Sequence, residues 1–172
     1  TNAIIIGLST LRPHTGGDCY CRMDDNMNMF DLVGKILVSS VSNLFTYQPD
    51  ILRDTCYTRM TEWNLGHHLA NEFAKYIFWL NHDIDVTKRN YANRRPDIIF
   101  HKRGSNDFNF LVVEIKVRRN HSTFKNINSG DIERIKKYWL ETPLSYRLGA
   151  SVVIESSNNF KVTVLSREGL RQ

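Results

Sequence analysis

Residues 108–117, Phe-Asn-Phe-Leu-Val-Val-Glu-Ile-Lys-Val, constrain the fold more than any other stretch of this 172-residue chain. In an extended strand successive side chains project to opposite faces. Leu111, Val113, Ile115 and Val117 therefore share one face, and Phe110, Val112, Glu114 and Lys116 share the other. Apolar residues on both faces mark a central strand covered on each side, which calls for layers of helix around a sheet. The switch to Glu114 and Lys116 breaks that pattern at the strand's end, and a break of this kind points to function rather than packing.

The flanking sequence supplies the layers. From Met29, the residues Phe30, Val33, Ile36, Leu37, Val41, Leu44 and Phe45 recur at helical spacing, and Thr61 to Leu80 carries a second stripe of Leu65, Leu69, Phe73, Tyr76, Ile77 and Leu80. Glu62 precedes Gly66, Leu69 and Phe73 by 4, 7 and 11 residues, which predicts an inward-facing carboxylate. Ile84 and Val86 suggest a short strand, and Asp97 to His101 a second, joined through Lys102 to Asp107 to the covered strand. Asp131 is suited to cap a helix with Ile132, Ile135, Tyr138, Trp139 and Leu140; residues 149–155 and 161–165 read as two further strands. Pro49-Asp50 reads as a turn and residues 10–28 as irregular. The expected fold is α/β, a central mixed sheet flanked by helices. Residues 1–50 form an irregular and helical extension packed on a core of residues 51–172.

Lys and Arg number 23 against 18 Asp and Glu, and the excess is concentrated: residues 88–137 hold 13 basic and 5 acidic side chains. An anionic partner fits that imbalance. Cys19, Cys21 and Cys56 are an odd set without disulfide spacing, which favours a reducing, cytoplasmic setting; His14 beside Cys19 and Cys21 makes a poor zinc clip, because Cys-x-Cys is too tight. No apolar run reaches the roughly 20 residues of a membrane span, and Ala3 to Leu8 is too short and lacks the basic leader of a secretory signal. A chain starting at Thr1 is expected to have a processed or extended N-terminus.

Asp97 opens one strand, while Glu114 and Lys116 close the next, so an antiparallel hairpin brings all three to one sheet edge. Hard divalent ions prefer oxygen donors, and Asp97, Glu114 and the Ile115 main-chain carbonyl make such a set for Mg2+, with Mn2+ able to substitute. Glu62 would join directly or through water. An ion there polarises a phosphodiester and activates water, and Lys116, kept protonated by two carboxylates, stabilises the developing charge. Any Glu-x-Lys or Pro-Asp alone is ordinary surface sequence. The combination with a covered strand, an upstream Glu and a basic interval carries the inference.

On these residues the chain resembles the PD-(D/E)xK nuclease superfamily, the restriction-endonuclease-like fold. Pro96-Asp97 and Glu114-Ile115-Lys116 match its two defining elements, and Glu62 in Glu62-Trp63-Asn64-Leu65-Gly66 looks like the glutamate of its first core helix. The stretches 95–104 and 111–116 are similar to small bacterial members. The resemblance spans about Thr61 to Leu165, and the first 50 residues bring no family assignment. It implies magnesium-dependent endonucleolytic hydrolysis of DNA leaving a 5′-phosphate, by Glu62, Asp97, Glu114 and Lys116. Similar proteins often carry an acidic residue after the first strand, where this chain has Thr87-Lys88-Arg89.

The expected phosphate contacts are Lys88, Arg89, Arg94, Arg95, Lys102, Arg103, Arg118, Arg119, Lys136 and Lys137. DNA is the expected partner and a membrane is not; a homodimer would place two sites on two strands. Two other readings stay open, an RNA nuclease and a nucleic-acid-binding or interaction module that keeps the fold without cleavage. Tyr91, Tyr138 and Trp139 would favour single strands if exposed beside the basic surface. His67 and His68 read as packing or capping residues, and His82 and His101 are expected to have no geometric partner.

Overall fold

The computed structural model describes residues 4–7, 28–56, 58, 60–88, 93–118, 124–141 and 143–167. His14, Cys19, Cys21, Arg89, Tyr91, Arg119 and nearly all of residues 10–28 lie outside them. The elements follow the order β1 (Ile4–Gly7), α1 (Met29–Tyr47), α2 (Ile51–Cys56), α3 (Thr61–Ala74), β2 (Asn81–Ile84), β3 (Ile98–His101), β4 (Asn109–Val117), α4 (Phe124–Ile135), a π-helical turn (Lys136–Leu140), β5 (Leu148–Ser156) and β6 (Asn159–Ser166). Six strands form one mixed sheet in the order β1-β6-β5-β4-β3-β2, in which β4 and β5 are parallel and every other neighbouring pair is antiparallel.

The two-faced apolar pattern of β4 has the predicted result from Leu111 onward, whereas Phe110, expected on the Val112 face, joins the core of the Leu111 face at the register shift between Phe100 and His101. One face, through Leu111, Val113 and Ile115, shares a core with Leu37, Val41 and Leu44 of α1 and Leu65, Leu69 and Phe73 of α3. The opposite face, through Val112 and the neighbouring Ile99, meets Ile135, Trp139, Leu140 and Tyr146. An α/β/α arrangement follows, with β4 in its middle. Helix α1 begins at Asn28, whose side-chain oxygen accepts from the Asp31 amide at 2.9 Å. Its 19 residues are long and apolar enough to cross a membrane, yet Val33, Leu37, Val41 and Leu44 lie buried in the shared core.

Several elements depart from the sequence reading. Helix α3 ends at Ala74 instead of continuing to Leu80. The Tyr76-Ile77-Phe78-Trp79 run is rich in aromatic and β-branched residues of modest helix propensity, and it proceeds as turns that bury Ile77 while exposing Phe78 and Trp79. The helix expected to start at a capping Asp131 already begins at Phe124; Asp131 sits within it, buried and paired with Arg134. Beyond the Pro49-Asp50 turn comes the short helix α2, which was not expected. Ile4–Gly7, read as neither helix nor strand, pairs antiparallel with β6, because four apolar residues carry too little periodicity to announce a strand that a neighbouring edge completes.

Two glycines answer to geometry. Gly104, in the β3–β4 connection, has φ +81°, a conformation that L side chains rarely adopt. Gly149 on β5 lets α4 sit close: a Cβ there would fall 2.3 Å from Ile135 Cγ2. Gly149→Ala is expected to lower stability by about 1–3 kcal/mol through overpacking, as measured by denaturant unfolding. Ile135→Leu, which removes that methyl, should recover part of the loss in the double variant.

Candidate metal and phosphodiester site

Antiparallel pairing sets Ile98 opposite Val113 and Ile99 opposite Val112. One step further along this register, Asp97 lies opposite Glu114. The Asp97 carboxylate accepts from the Ile115 amide at 2.6 Å, tying the entry to β3 onto β4. Glu114 Oε1 accepts from the Trp139 indole at 3.0 Å, so the π-helical turn reaches the same carboxylate from the far layer. Trp139 is itself almost fully buried.

Burial pushes both carboxyls above their ordinary range. For Asp97 the loss of water is opposed by the Ile115 amide and by Lys116. For Glu114 desolvation, reinforced by the Asp97 charge, moves the pKa up to about 7, against the Trp139 hydrogen bond and the positive charges of Lys116 and Arg134. Two desolvated carboxyls, one of which feels the charge of the other, do not both ionise as readily as they would in water.

Glu62 takes a different position from the predicted inward one. Its side chain is 45 % exposed at the start of α3, where one oxygen accepts from the Val117 amide at 3.0 Å and the other lies 3.6 Å from Lys116 Nζ. The face shared with Gly66, Leu69 and Phe73 is buried further along α3, but the first turn overhangs the end of the sheet. Among the described residues no three His, Cys, Asp or Glu side chains are grouped to hold a metal ion. Asp97 and Glu114 thus lie near the same end of β4, while Glu62 holds Lys116 and the Val117 amide.

A cleft of about 400 Å³ opens on the α3 side of Asp97, bounded by Glu62, Trp63, Ile84, Asp85 and Arg95. Asp85 has φ +55°, with its amide donating to the Asp97 carbonyl at 3.1 Å and its carboxylate 3.3 Å from Arg95 Nε. The sequence analysis extended the first strand to Val86 and so placed Thr87-Lys88-Arg89 after it; β2 ends at Ile84, and the residue that follows directly is the acidic Asp85.

The basic residues divide sharply. The Arg94 guanidinium lies 3.2 Å over the Tyr138 ring, and Lys137 Nζ lies 5.6 Å from the same ring. Lys102 and Lys137 are exposed. Arg118 is buried and paired with Glu155 at 3.0 Å, which commits it to the interior. Arg103 is paired with Asp83, and Lys136 lies 3.2 Å from Glu133. Lys88 is partly buried and its pKa lowered by that burial. His101, expected to lack a geometric partner, has one: Asp83 at 2.7 Å, whose own pKa is held down to about 2, chiefly by Arg103. His67 stacks near Trp63, His68 meets Gln48, and His82 packs on Phe100.

Because the folded chain holds a Glu114 proton that the unfolded chain releases near pH 4.3, this group stabilises the apo fold fully at low pH. That contribution is lost as pH rises through about 7. In chelator, Glu114→Gln is therefore expected to be more stable than the wild type at pH 8, by about 2 kcal/mol. The difference should shrink as pH falls to 5, as read by urea unfolding across that range.

The chain matches no known family model, no curated protein and no solved structure, so the chemistry of this site is read from its own residues and geometry.

Proposed function

We propose that the chain is a metal-dependent phosphodiester hydrolase acting on nucleic acid, DNA by preference, with a restriction-endonuclease-like core and a site of the PD-(D/E)xK type. One observation supports the reading: the Asp97 carboxylate accepts from the Ile115 amide at 2.6 Å, beside a desolvated Glu114 that feels its charge, with Lys116 two residues along the same strand. A surface hairpin would have left both carboxyls in water.

Asp97, Glu114 and the Ile115 carbonyl would hold Mg2+, or Mn2+ in its place. When bound, the ion supplies charge neutralisation on the phosphodiester and lowers the pKa of the attacking water. Lys116 places an ammonium beside the phosphoryl oxygens, where charge grows in the transition state. Glu62 orients Lys116 through their 3.6 Å ion pair. Trp139 fixes the Glu114 rotamer through its indole N–H. Arg94 and Lys137, gathered on Tyr138, offer positive charge for the flanking phosphates.

The reading as a binding module without cleavage is favoured by a single observation: each carboxylate already has a protein donor, the Ile115 amide for Asp97 and the Trp139 indole for Glu114. The decisive comparison incubates wild type and Asp97→Ala with supercoiled, linear, single-stranded and branched DNA, and with RNA, in magnesium, manganese or chelator. Asp97→Ala and Glu114→Ala should abolish divalent-dependent cleavage. Lys116→Ala should lower kcat by roughly 10²–10³ with little change in KM. Equal cleavage by wild type and Asp97→Ala would remove the site from the reaction, and cleavage of RNA alone would replace the substrate. Lys137→Ala should reduce the salt slope of binding by about one unit. Arg118→Ala should instead destabilise the fold by about 1–2 kcal/mol, through the buried Arg118 packing and ion pair that it removes while Glu155 stays partly exposed and bonded to Asn159.

A further inference from the structure

The cleft beside Asp97 has the wrong charge for a phosphate and the right surfaces for a base. Three carboxylates, Glu62, Asp85 and Asp97, line it, and its one guanidinium, Arg95, is engaged with Asp85 at 3.3 Å. Its aromatic wall is Trp63, 45 % exposed although large and apolar, with its ring centroid 4.0 Å from that of His67. At about 400 Å³ the space falls in the lower range of small-ligand sites.

We propose that this cleft binds a single unpaired nucleobase next to the scissile phosphate, stacked on Trp63 with its N–H edge toward the carboxylates, so that the substrate is single-stranded or carries an extruded nucleotide. The inference rests on the hydrolase reading for the position of the phosphate and adds the state of the strand. Every nucleobase has at least one N–H donor on its pairing edge, and in a duplex the ring N–H of thymine or guanine is used up while the exocyclic amines keep one N–H in a groove. The acceptors therefore suit an unpaired base, and the choice against a duplex comes from the stacking surface. A duplex base also has both ring faces covered by its neighbours, so only an unstacked base can cover Trp63. Asp85, held by the Asp97 carbonyl and Arg95 in a left-handed conformation, presents a fixed acceptor rather than a mobile one. Phosphate recognition falls to the other layer, at Arg94 and Lys137.

The test uses the full chain in chelator, so that nucleic acid stays intact, and measures anisotropy of a labelled oligothymidylate, an abasic oligomer of equal length and a duplex. The wild type should prefer the oligothymidylate to both others. Trp63→Ala should weaken that binding roughly tenfold to a hundredfold while leaving the abasic oligomer unaffected. Trp63→Phe, which keeps a ring, should retain most of it. Oligothymidylate should also quench tryptophan emission in the wild type, and Trp63→Phe should lose that quenching. Thermal melts establish that each variant is folded, as the half-exposed position predicts. Wild-type binding that is equal for oligothymidylate and abasic oligomer, or unchanged by Trp63→Ala in a folded variant, overturns the base site. Cleavage by the same proteins in magnesium is read separately. Base binding that survives without any metal-dependent cleavage removes the hydrolase and leaves the base site standing, and cleavage with no response at Trp63 does the reverse.

Discussion

The feature on which the rest depends is the burial of the β3–β4 pair between two layers. Ile98, Ile99, Phe100, Leu111, Val112 and Val113 are removed from water, so their pairing register is strongly specified: a shift of one residue would turn every side chain to the wrong layer. The same register sets Asp97 against Glu114 at the end of the pair. There each carboxylate keeps one described protein donor, from Ile115 or Trp139. One hydrogen bond does not replace the hydration of a full charge, so the local pKa values rise. Hydrophobic packing thus creates a place where these carboxyls hold their protons more tightly than in water, a consequence of how the core closes.

The two helical layers contribute different chemistry to that place. From one side, the first turn of α3 brings Glu62 to the Val117 amide and Lys116, and exposes Trp63 along the acidic cleft. From the other, the π-helical turn buries Trp139 against Glu114 while Tyr138 sits under Arg94. A π-turn widens the helix by one residue, and such turns recur at functional sites because they re-aim side chains that an α-helix would place elsewhere. Acceptors and an aromatic wall are gathered on one side of the strand end together with the paired Arg95 and Lys116, and Arg94 and Lys137 lie on the other.

Net charge proved a blunt guide to the surface. The basic interval is real in sequence, yet Arg103, Arg118, Arg134 and Lys136 are each matched with an acidic neighbour, and Arg95 leans on Asp85. Charges spent on ion pairs contribute less field to a distant phosphate than their number suggests. Where a guanidinium is buried, as Arg118 is, its removal is felt in stability before it is felt in binding.

The local patterns in the sequence determined a good deal: the helical stripe of α1, the first fourteen residues of the stripe at α3, the covered strand at β4, and the nearness of Asp97 to the far end of that strand. Each depends on periodicity or on adjacency across one short connection, which a linear reading can follow. Tertiary structure alone decided that Ile4–Gly7 would become a strand, that Glu62 would sit at a rim, that Trp139 would hold Glu114, and that Asp85 and Trp63 would border one cleft. These relations join residues far apart in the chain. They arise only when the sheet is assembled and its layers close, because the energy that sets them is burial, and burial has no value until the covering element is in place.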